Sequence, residues 1–260
     1  MSDSPIPATM TLKRGLDLLR AFRAERTPLT NAELVRRTGL SRSSVSRLTI
    51  TLVKLGYLRR VSGGRALELS VGGLSIGTDY ARSNPVTQRV HPFMQRLADR
   101  LNVTVALAVP DRLDMLYIAC RTSAQISTLR LEVGSLLPMG RTAIGRAWLW
   151  ALPASERRRY MQALLEAAGP EADDLWQRIK RDFDQIDSTG ACITVGEYQR
   201  NAYGIALPVR VGRSETLMAM SCGGAGLALD IAAIRNCIAP ELKSAAREIT
   251  TLLRNVDAEP

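Results

Sequence analysis

The 260-residue sequence is poor in histidine and in aromatic residues, and it has no long apolar run. A single histidine, His91, excludes zinc sites built from several histidines and most histidine-based acid–base chemistry. Because His91 stands beside Pro92 ahead of a helical pattern, we interpret it as a structural residue. The longest uncharged apolar stretch, residues 216–229, has 14 residues, whereas a transmembrane helix needs roughly 20. The first residues also lack the basic and apolar segments of a secretory signal.

Cysteine is scarce as well, and its four copies are far apart, with no C-x-x-C pair: Cys120, Cys192, Cys222 and Cys237. This usage predicts free thiols in a reducing cytoplasm. A redox sensor at Cys192 or Cys222 would need a nearby cation, and neither has Lys, Arg or His within two residues. We therefore interpret both as small buried residues, and we expect no metal and no cofactor.

The formal net charge is +10, and most of it lies at the front of the chain. Residues 1–70 hold 13 basic and 5 acidic residues, a net of +8, while residues 71–260 hold 22 and 20, a net of +2. With 46% hydrophobic and 23% charged residues, the composition is that of a folded globular protein. The basic front segment favours an anionic partner, either nucleic acid or an acidic membrane surface.

Three helices are predicted in this front segment. Leucines and Phe22 recur at helical spacing over residues 9–24. A capping box of Thr30 and Glu33 begins a second helix that ends near Gly39, a residue suited to a tight turn. Ser41 caps a third helix over residues 42–55, whose predicted core residues are Val45, Leu48, Leu52 and Leu55. This arrangement is typical of a helix-turn-helix.

The outward face of the third helix has the chemistry of a base reader. It combines short hydroxyls with arginines that can donate two bonds to one guanine, and residues 41–55 contain no acid. A solvated face of a small helical bundle would mix Glu with Lys instead. A hairpin of residues 57–61 and 65–69 around Ser62-Gly63-Gly64 follows, as in a winged helix-turn-helix. The candidate DNA contacts are Thr30, Arg37, Arg42, Ser43, Ser44, Ser46, Arg47, Arg59, Arg60 and Arg65. A membrane surface is a weaker alternative, because the apolar faces are used internally.

The rest of the chain predicts a linker helix followed by an α+β domain with an antiparallel sheet. Strand patterns cover residues 103–109, 115–121, 126–132, 203–211 and 215–222, and helical patterns cover residues 85–101, 143–152, 155–167, 173–187 and 230–254, the last interrupted or kinked at Pro240. We expect a disordered tail over residues 1–8, a DNA-binding domain over 9–70, a linker helix over 71–83 and a second domain over 84–260.

One loop in the second domain is suited to an anion. Residues 134–149 run from a Gly/Pro loop into a helix whose first turn contains Thr142 and Ala143. Small residues at a helix N-terminus leave backbone N–H groups available to a carboxylate. The same spacing also fits a plain strand-to-helix connection, and that alternative stays open.

Several stretches, in order along the chain, resemble the IclR family of bacterial transcriptional regulators. They are TLKRGLDLL at 11–19, TGLSRSSVSRL at 38–48, LGYL at 55–58, LPMGRTAIGRA at 137–147 and GIALPV at 204–209. The resemblance covers nearly the whole chain. It implies a winged helix-turn-helix, a linker helix and a GAF-like effector-binding domain, in dimers or tetramers that bind palindromic operators in double-stranded DNA.

The resemblance also implies an effector pocket, at Leu129, Leu131, Met139, Arg141, Thr142, Ala143, Thr194, Gly204, Met220 and Cys222. Thr194 stands where family members often have an Asp. Gly204 stands where some members carry Cys, and Met220 and Cys222 stand where some carry Ser. These changes suggest an effector that is larger and less polar than a two- or three-carbon oxoacid. Arg130 and Arg141 are candidates for its carboxylate. Ala66 replaces a common aromatic residue of the wing.

Three functions are compared on this basis. The leading one is a ligand-responsive, DNA-binding regulator of a catabolic or metabolic operon, whose effector is a small organic carboxylic acid, with aromatic acids among the candidates. An enzyme domain fused to a DNA-binding domain is the alternative, although no catalytic triad, metal cluster, Walker loop or dinucleotide fingerprint is visible. A DNA-architectural protein is disfavoured, because it would not need a nearly neutral domain of 190 residues.

Overall fold

A computed structural model describes residues 9–22, 28–61, 63–126, 131–225 and 231–257. The chain divides between Tyr80 and Ala81 into two compact units. The tail predicted over residues 1–8 lies outside the described residues. The expected α+β class is confirmed, with a helix-turn-helix in the first unit and an antiparallel sheet with helices in the second.

The first unit holds three helices, a two-stranded wing and most of a fourth helix that continues past Tyr80: α1 (Met10–Arg20), α2 (Asn31–Thr38), α3 (Arg42–Lys54), β1 (Leu58–Arg60), β2 (Leu67–Leu69) and α4 (Val71–Ser83). The capping box at α2 is present, with the Thr30 hydroxyl accepting from the Glu33 N–H and the Glu33 carboxylate accepting from the Thr30 N–H at 2.7 Å. Gly39 ends α2 with a φ of 68°, a conformation that suits glycine.

The core of this unit differs in part from the predicted one. Its buried residues are Leu18, Phe22, Leu29, Leu34, Val45, Leu52, Leu58 and Leu67. Leu55 is 63% exposed because it is the C-cap of α3, where the chain turns away from the core. Leu12 and Leu16 are also exposed, since α1 turns Leu18 and Phe22 towards the core instead. Only part of the apolar face predicted for α1 is therefore buried within the chain.

The wing pairs as an antiparallel hairpin, with Arg59 opposite Glu68. A third segment joins it, because Leu29 and Leu67 exchange two backbone hydrogen bonds of 2.8 Å. The wing is thereby tied to the chain that leads into α2. This bridge had no signal in the sequence, since a single isolated pair has no periodicity.

The second unit is built on a six-stranded antiparallel sheet in the order β5-β4-β3-β8-β7-β6. The strands are β3 (Thr104–Asp111), β4 (Asp114–Thr122), β5 (Leu136–Pro138), β6 (Cys192–Val195), β7 (Ala202–Val211) and β8 (Thr216–Ala225). The two edge strands, β5 and β6, were not predicted, because three or four residues carry too little alternation to be recognised. The strand predicted over residues 126–132 is not found at Ile126 or Leu131, and residues 127–130 lie outside the described part.

Helices cover both faces of this sheet. One face packs against α5 (Pro85–Leu101) and α10 (Ala239–Leu253). The other packs against α6 (Ala143–Trp150), α7 (Ala154–Ala168) and α8 (Ala172–Thr189). The predicted interruption near Pro240 is a π-helical turn, Ile234–Ile238, after the short α9 (Ile231–Ala233). Pro240 itself lies in the first turn of α10, where its missing N–H costs no helical hydrogen bond.

Candidate DNA-binding surface and effector cavity

The exposed face of α3 lies at its N-terminal end. Arg42, Ser43 and Arg47 are exposed, and Ser44 and Ser46 are half-buried. Ser41 caps the helix by accepting from the Ser44 N–H at 3.2 Å, and its hydroxyl also lies 3.1 Å from that of Ser43. Because Val45, Thr49 and Leu52 face the core, the hydroxyls and arginines face solvent. Ile50, which sequence reasoning missed, shares this face and is 46% exposed.

The remaining candidate DNA contacts differ in whether the side chain already has a partner within the chain. Arg60, Arg65 and Arg59 are all exposed, and Arg59 forms an ion pair with Glu68 across the wing. Arg37 is half-buried and donates to the Ala21 carbonyl at 3.0 Å, so it ties α2 to the end of α1. Thr30 is exposed, and its hydroxyl contacts the Glu33 carboxylate.

A cavity of about 60 Å³ lies inside the second unit, between the start of α6 and the sheet. Small-molecule sites in proteins usually span ~300–1,000 Å³, so an organic acid would have to open this cavity further. Small side chains open this space, since Gly204 faces Ala143 and a Cβ on Gly204 would lie 3.5 Å from that of Ala143. Gly145 lets α6 approach, because a Cβ there would lie 2.1 Å from the Met139 carbonyl oxygen.

Six of the predicted pocket residues line the cavity: Leu131, Thr142, Ala143, Thr194, Gly204 and Cys222. Met139 is buried in the core beneath it, and Met220 lies in the core on the opposite face of the sheet. Adjacent residues of a strand face opposite sides, so the Ser221 side chain occupies the cavity position instead of Met220. Cys222 borders the cavity but, like Met220, belongs to the core cluster on the other face of the sheet. Arg141 is exposed in a polar cleft and forms an ion pair with Glu171. Leu129 and Arg130 lie outside the described residues.

Sequence reasoning missed most of the polar lining, which comes from strands on either side of the cavity: Thr104, Tyr117, Tyr203 and Ser221, with Glu197 and Tyr198 from the turn after β6. Burial raises the pKa of the Tyr117 phenol, and a hydrogen bond with Ser221 opposes that shift only in part. Burial likewise raises the pKa of Tyr203 to about 12. Both phenols are therefore neutral at pH 7 and can donate hydrogen bonds. The signal in the sequence that could have found part of this lining was the alternation of β3, which puts Thr104 on the same face of the sheet as Ala106 and Ala108.

The N-terminus of α6 faces this cavity through Thr142, Ala143 and Ile144. The Thr142 hydroxyl donates to the Pro138 carbonyl at 2.9 Å, and no side chain caps the helix. Backbone N–H groups at an uncapped helix start attract an anion. The predicted anion-suited loop thus lies at the wall of the cavity.

Behind this wall lies a buried cation. Arg146 is fully buried and donates through Nε to the Gly140 carbonyl at 2.9 Å, through Nη1 to Asp182 and through Nη2 to Glu197. Burial alone would lower the pKa of the guanidinium, but the two carboxylates raise it. Burial raises the pKa of Asp182, and Arg146 opposes this only in part. Arg146 stays charged, and it holds Glu197 at the cavity wall.

The thiols in this region are unreactive by environment. Burial raises the pKa of Cys120 to about 11 and raises the pKa values of Cys192 and Cys222 further. All three are buried, which agrees with the interpretation of Cys192 and Cys222 as small buried residues. Among the described residues, no three His, Cys, Asp or Glu side chains are placed to hold a metal ion. Of the helices described here, none is long and apolar enough to cross a membrane.

Comparison with known proteins agrees with both units. The family model for the IclR helix-turn-helix domain matches residues 11–62. The TsaQ1/TsaQ2 transcriptional regulator of Comamonas testosteroni is 29% identical over 94% of this chain and 88% of its own. The Pca regulon regulatory protein of Pseudomonas putida is 31% identical over 83% of this chain and 74% of its own.

Solved structures extend this likeness to the fold. An IclR family transcriptional regulator from Brucella abortus superposes with a TM-score of 0.87 at 30% identity, covering 97% of this chain and 96% of its own. An IclR homologue from Microbacterium hydrocarbonoxydans, solved with 4-hydroxybenzoate, shares the fold with a TM-score of 0.64 at 21% identity, over 94% and 98% of the chains. The family model described as "Bacterial transcriptional regulator IclR C-terminal" matches residues 78–251. With its helix-turn-helix and its C-terminal domain both matched, this chain belongs to the IclR family of bacterial transcriptional regulators.

Proposed function

We propose that this regulator binds a palindromic double-stranded operator through α3 and the wing, and that a small organic carboxylic acid in the cavity changes this binding. One observation carries the DNA-binding part of this proposal. Helix α3 contains no Asp or Glu, and its exposed Arg42, Ser43 and Arg47 lie at its N-terminal end. These side chains reach the floor of a major groove, while Arg60 and Arg65 of the wing contact phosphates. Arg59 and Arg37 have internal partners, so we assign them to positioning these elements.

An aromatic carboxylic acid is the effector class that the cavity supports best. The uncapped start of α6 suits a carboxylate, and the apolar part of the wall includes Leu131, Leu137 and Ile144. Hydroxyls of Thr142, Thr194 and Ser221 supply polar contacts. One relative of the same fold was solved with 4-hydroxybenzoate, which supports this class by analogy. Arg141 is excluded from the proposed contact set because it lies in the neighbouring polar cleft.

We also propose that the protein acts as a homodimer or homotetramer. Exposed apolar side chains are concentrated on α1 and α4, and α4 has no buried residue. The exposed set is Met10, Leu12, Leu16, Val71, Leu74, Ile76 and Tyr80. Large exposed apolar surfaces mark interaction sites, and a two-fold dimer matches a palindromic operator. A second copy is the partner that satisfies both conditions.

The domain boundaries we infer are a DNA-binding domain over 9–70, a linker helix over 71–83 and an effector-binding domain over 84–260. The family matches at 11–62 and 78–251 support the division into two domains, and the second match begins inside the proposed linker helix. Relatives of the chain are regulators, which supports a binding function rather than catalysis. Binding of chromosomal DNA assigns the action of the protein to the bacterial cytoplasm.

An electrophoretic mobility shift assay on the DNA upstream of the protein's own gene tests the proposal. A shifted band at low salt should weaken steeply as salt rises, because each phosphate contact releases counterions. A thermal-shift screen of aromatic and aliphatic carboxylic acids tests the effector, and a hit should also change operator affinity. No shifted band with this or neighbouring promoters would refute the DNA half. Stabilisation without any change in operator affinity would refute the coupling.

A further inference from the structure

The cavity has an unusual charge pattern for a site that we expect to bind an acid. Among the described residues of its lining, Glu197 is the only side chain with a formal charge at pH 7. Neither lysine nor arginine is found in that described lining. Among the described residues, the start of α6 is therefore the part of the lining that attracts a carboxylate ligand, and Glu197 repels it. The cavity has a donor end at α6 and an acceptor end at Glu197.

Glu197 is held in place by the protein interior. Its Oε2 accepts from the fully buried Arg146, and the exposed Arg178 lies 3.9 Å from the same oxygen. The carboxylate is itself largely buried, with 15% of the side chain exposed. Gly196, with a φ of 73°, and a 2.9 Å hydrogen bond from the Gly196 N–H to the Ala202 carbonyl fix the turn that carries it. This carboxylate is therefore preorganised. If it moved away, Arg146 would keep only Asp182 as a counter-charge.

The contacts described for Glu197 all use Oε2. Glu197 lines both this cavity and the neighbouring polar cleft. An ionised carboxylate accepts hydrogen bonds at both oxygens, so Oε1 remains an acceptor for a ligand at this wall. Hydrogen bonds to a charged acceptor are stronger than neutral ones, especially away from bulk water. A ligand hydroxyl is therefore favoured at this wall, and a second carboxylate is disfavoured.

We propose that Glu197 determines effector specificity by accepting a hydrogen bond from a hydroxyl group of the effector, so that the protein selects hydroxylated aromatic monocarboxylates. This inference rests on the proposed function and narrows its ligand class. Binding sites that hydrogen-bond a substrate hydroxyl discriminate strongly against analogues that lack it, because a buried polar group is then left unpaired. Dicarboxylates of the same size are rejected for the opposite reason, since a second anion would face Glu197.

The test uses the full chain and isothermal titration with benzoate, 3-hydroxybenzoate, 4-hydroxybenzoate and 4-methoxybenzoate. At least one hydroxybenzoate should bind about tenfold or more tightly than benzoate, the range expected for a hydrogen bond to a charged group. The methoxy compound fills similar space without a donor and should lose this advantage. Equal affinities for benzoate and both hydroxybenzoates would overturn the inference and leave an aromatic carboxylate effector standing.

The variant Glu197→Gln makes the test specific. In this variant the amide oxygen of the glutamine can still accept from Arg146. The amide NH₂ then takes the position of Oε1, so this wall offers a hydrogen-bond donor instead of an acceptor. The buried cluster keeps one cation and one anion, Arg146 and Asp182, so we expect the variant to fold. The hydroxyl preference should disappear in Glu197→Gln. Glu171→Gln is the matched control, because Glu171 lies in the adjacent polar cleft and does not line the cavity.

A hydroxyl preference that survives in Glu197→Gln would overturn the assignment and transfer it to the tyrosine and serine hydroxyls. If all four acids fail to bind while operator DNA is still shifted, the aromatic effector class fails and this inference fails with it. Loss of the DNA shift is a separate failure of the DNA-binding proposal. Melting temperatures of both variants, measured without ligand, distinguish a change of specificity from unfolding.

Discussion

Arg146 and Asp182 form an ion pair in which both side chains are closed off from solvent, with 0% and 7% exposed. The same guanidinium also contacts Glu197, so one buried cation faces two carboxylates. Burying charges is costly unless each is paired and hydrogen-bonded. The cluster therefore depends more on its single cation than on either anion.

Replacing Arg146 should destabilise the second unit strongly. Arg146→Met leaves Asp182 without its counter-charge and Glu197 with only the exposed Arg178 at 3.9 Å, and we expect a loss of about 3–5 kcal/mol. Asp182→Asn should cost clearly less, because Glu197 still neutralises Arg146. Urea unfolding followed by tryptophan fluorescence measures this, since all three tryptophans lie in the second unit. Arg100→Met, at an exposed ion pair, is the control and should cost less than about 1 kcal/mol. Equal costs for Arg146→Met and Arg100→Met would contradict the prediction.

Gly204→Ala should reduce ligand affinity while preserving the fold. Its added Cβ would make ordinary contacts, 3.5 Å from Ala143 and 3.7 Å from Thr194, and would occupy cavity space. Gly145→Ala should instead destabilise the domain, because its Cβ would overlap the Met139 backbone at 2.1 Å. Melting temperatures and titration with a ligand from the acid screen separate the two effects. A Gly204→Ala protein with unchanged affinity would place the ligand elsewhere.

The two groups of arginines should respond differently to substitution. Arg42→Ala and Arg47→Ala should relax base preference, at about 1–3 kcal/mol for a bidentate contact that is lost. Arg60→Ala should weaken binding to all sequences alike and lower the salt slope by about one. Mobility shifts on the operator and on single-base variants, repeated at several salt concentrations, measure both quantities. Identical behaviour of the two groups would show that the groove assignment is wrong.

Charges on the exposed face of α1 should dissociate the proposed oligomer. Leu12 and Leu16 are 63% and 53% exposed, so the double variant Leu12→Glu/Leu16→Glu should fold normally in each chain. Two buried carboxylates per subunit would oppose the contact between copies. Sedimentation velocity should show a smaller species with weaker operator binding. Leu252→Glu, at an exposed residue of α10, is the matched control. An unchanged sedimentation coefficient in the double variant would exclude α1 from the interface.

His91 should make the protein less stable in mild acid. Burial, and secondarily Arg121, lowers the pKa of the imidazole below 6.5, and no partner is described for its buried Nε2. A depressed folded-state pKa means that stability is complete above 6.5 and falls as the pH drops through the folded value. His91→Leu should therefore narrow the difference in melting temperature between about pH 7.5 and about pH 5.5. An unchanged difference would assign the acid sensitivity to other groups.

The sequence by itself determined the local elements whose causes are local. Each of these elements is decided within a few neighbouring residues. They are the Thr30–Glu33 capping box, the turn at Gly39, the cap at Ser41 and the face of α3 that carries hydroxyls and arginines. Longer strands and helices followed from periodicity for the same reason. Charge counting located the basic front segment, because net charge is a sum over the chain, and the helix-turn-helix pattern then indicated DNA as its partner.

Only the tertiary structure decided the cavity and its electrostatics. Glu197, Arg146 and Asp182 are distant in sequence, and their contact depends on how α6, α8 and the turn after β6 pack together. Strand register assigned Ser221 rather than Met220 to the cavity wall, and a one-residue shift reverses the face of a side chain. The cap of α3 and the orientation of α1 left Leu55, Leu12 and Leu16 exposed despite their apolar spacing. A periodic pattern identifies an apolar face, but packing determines what covers it.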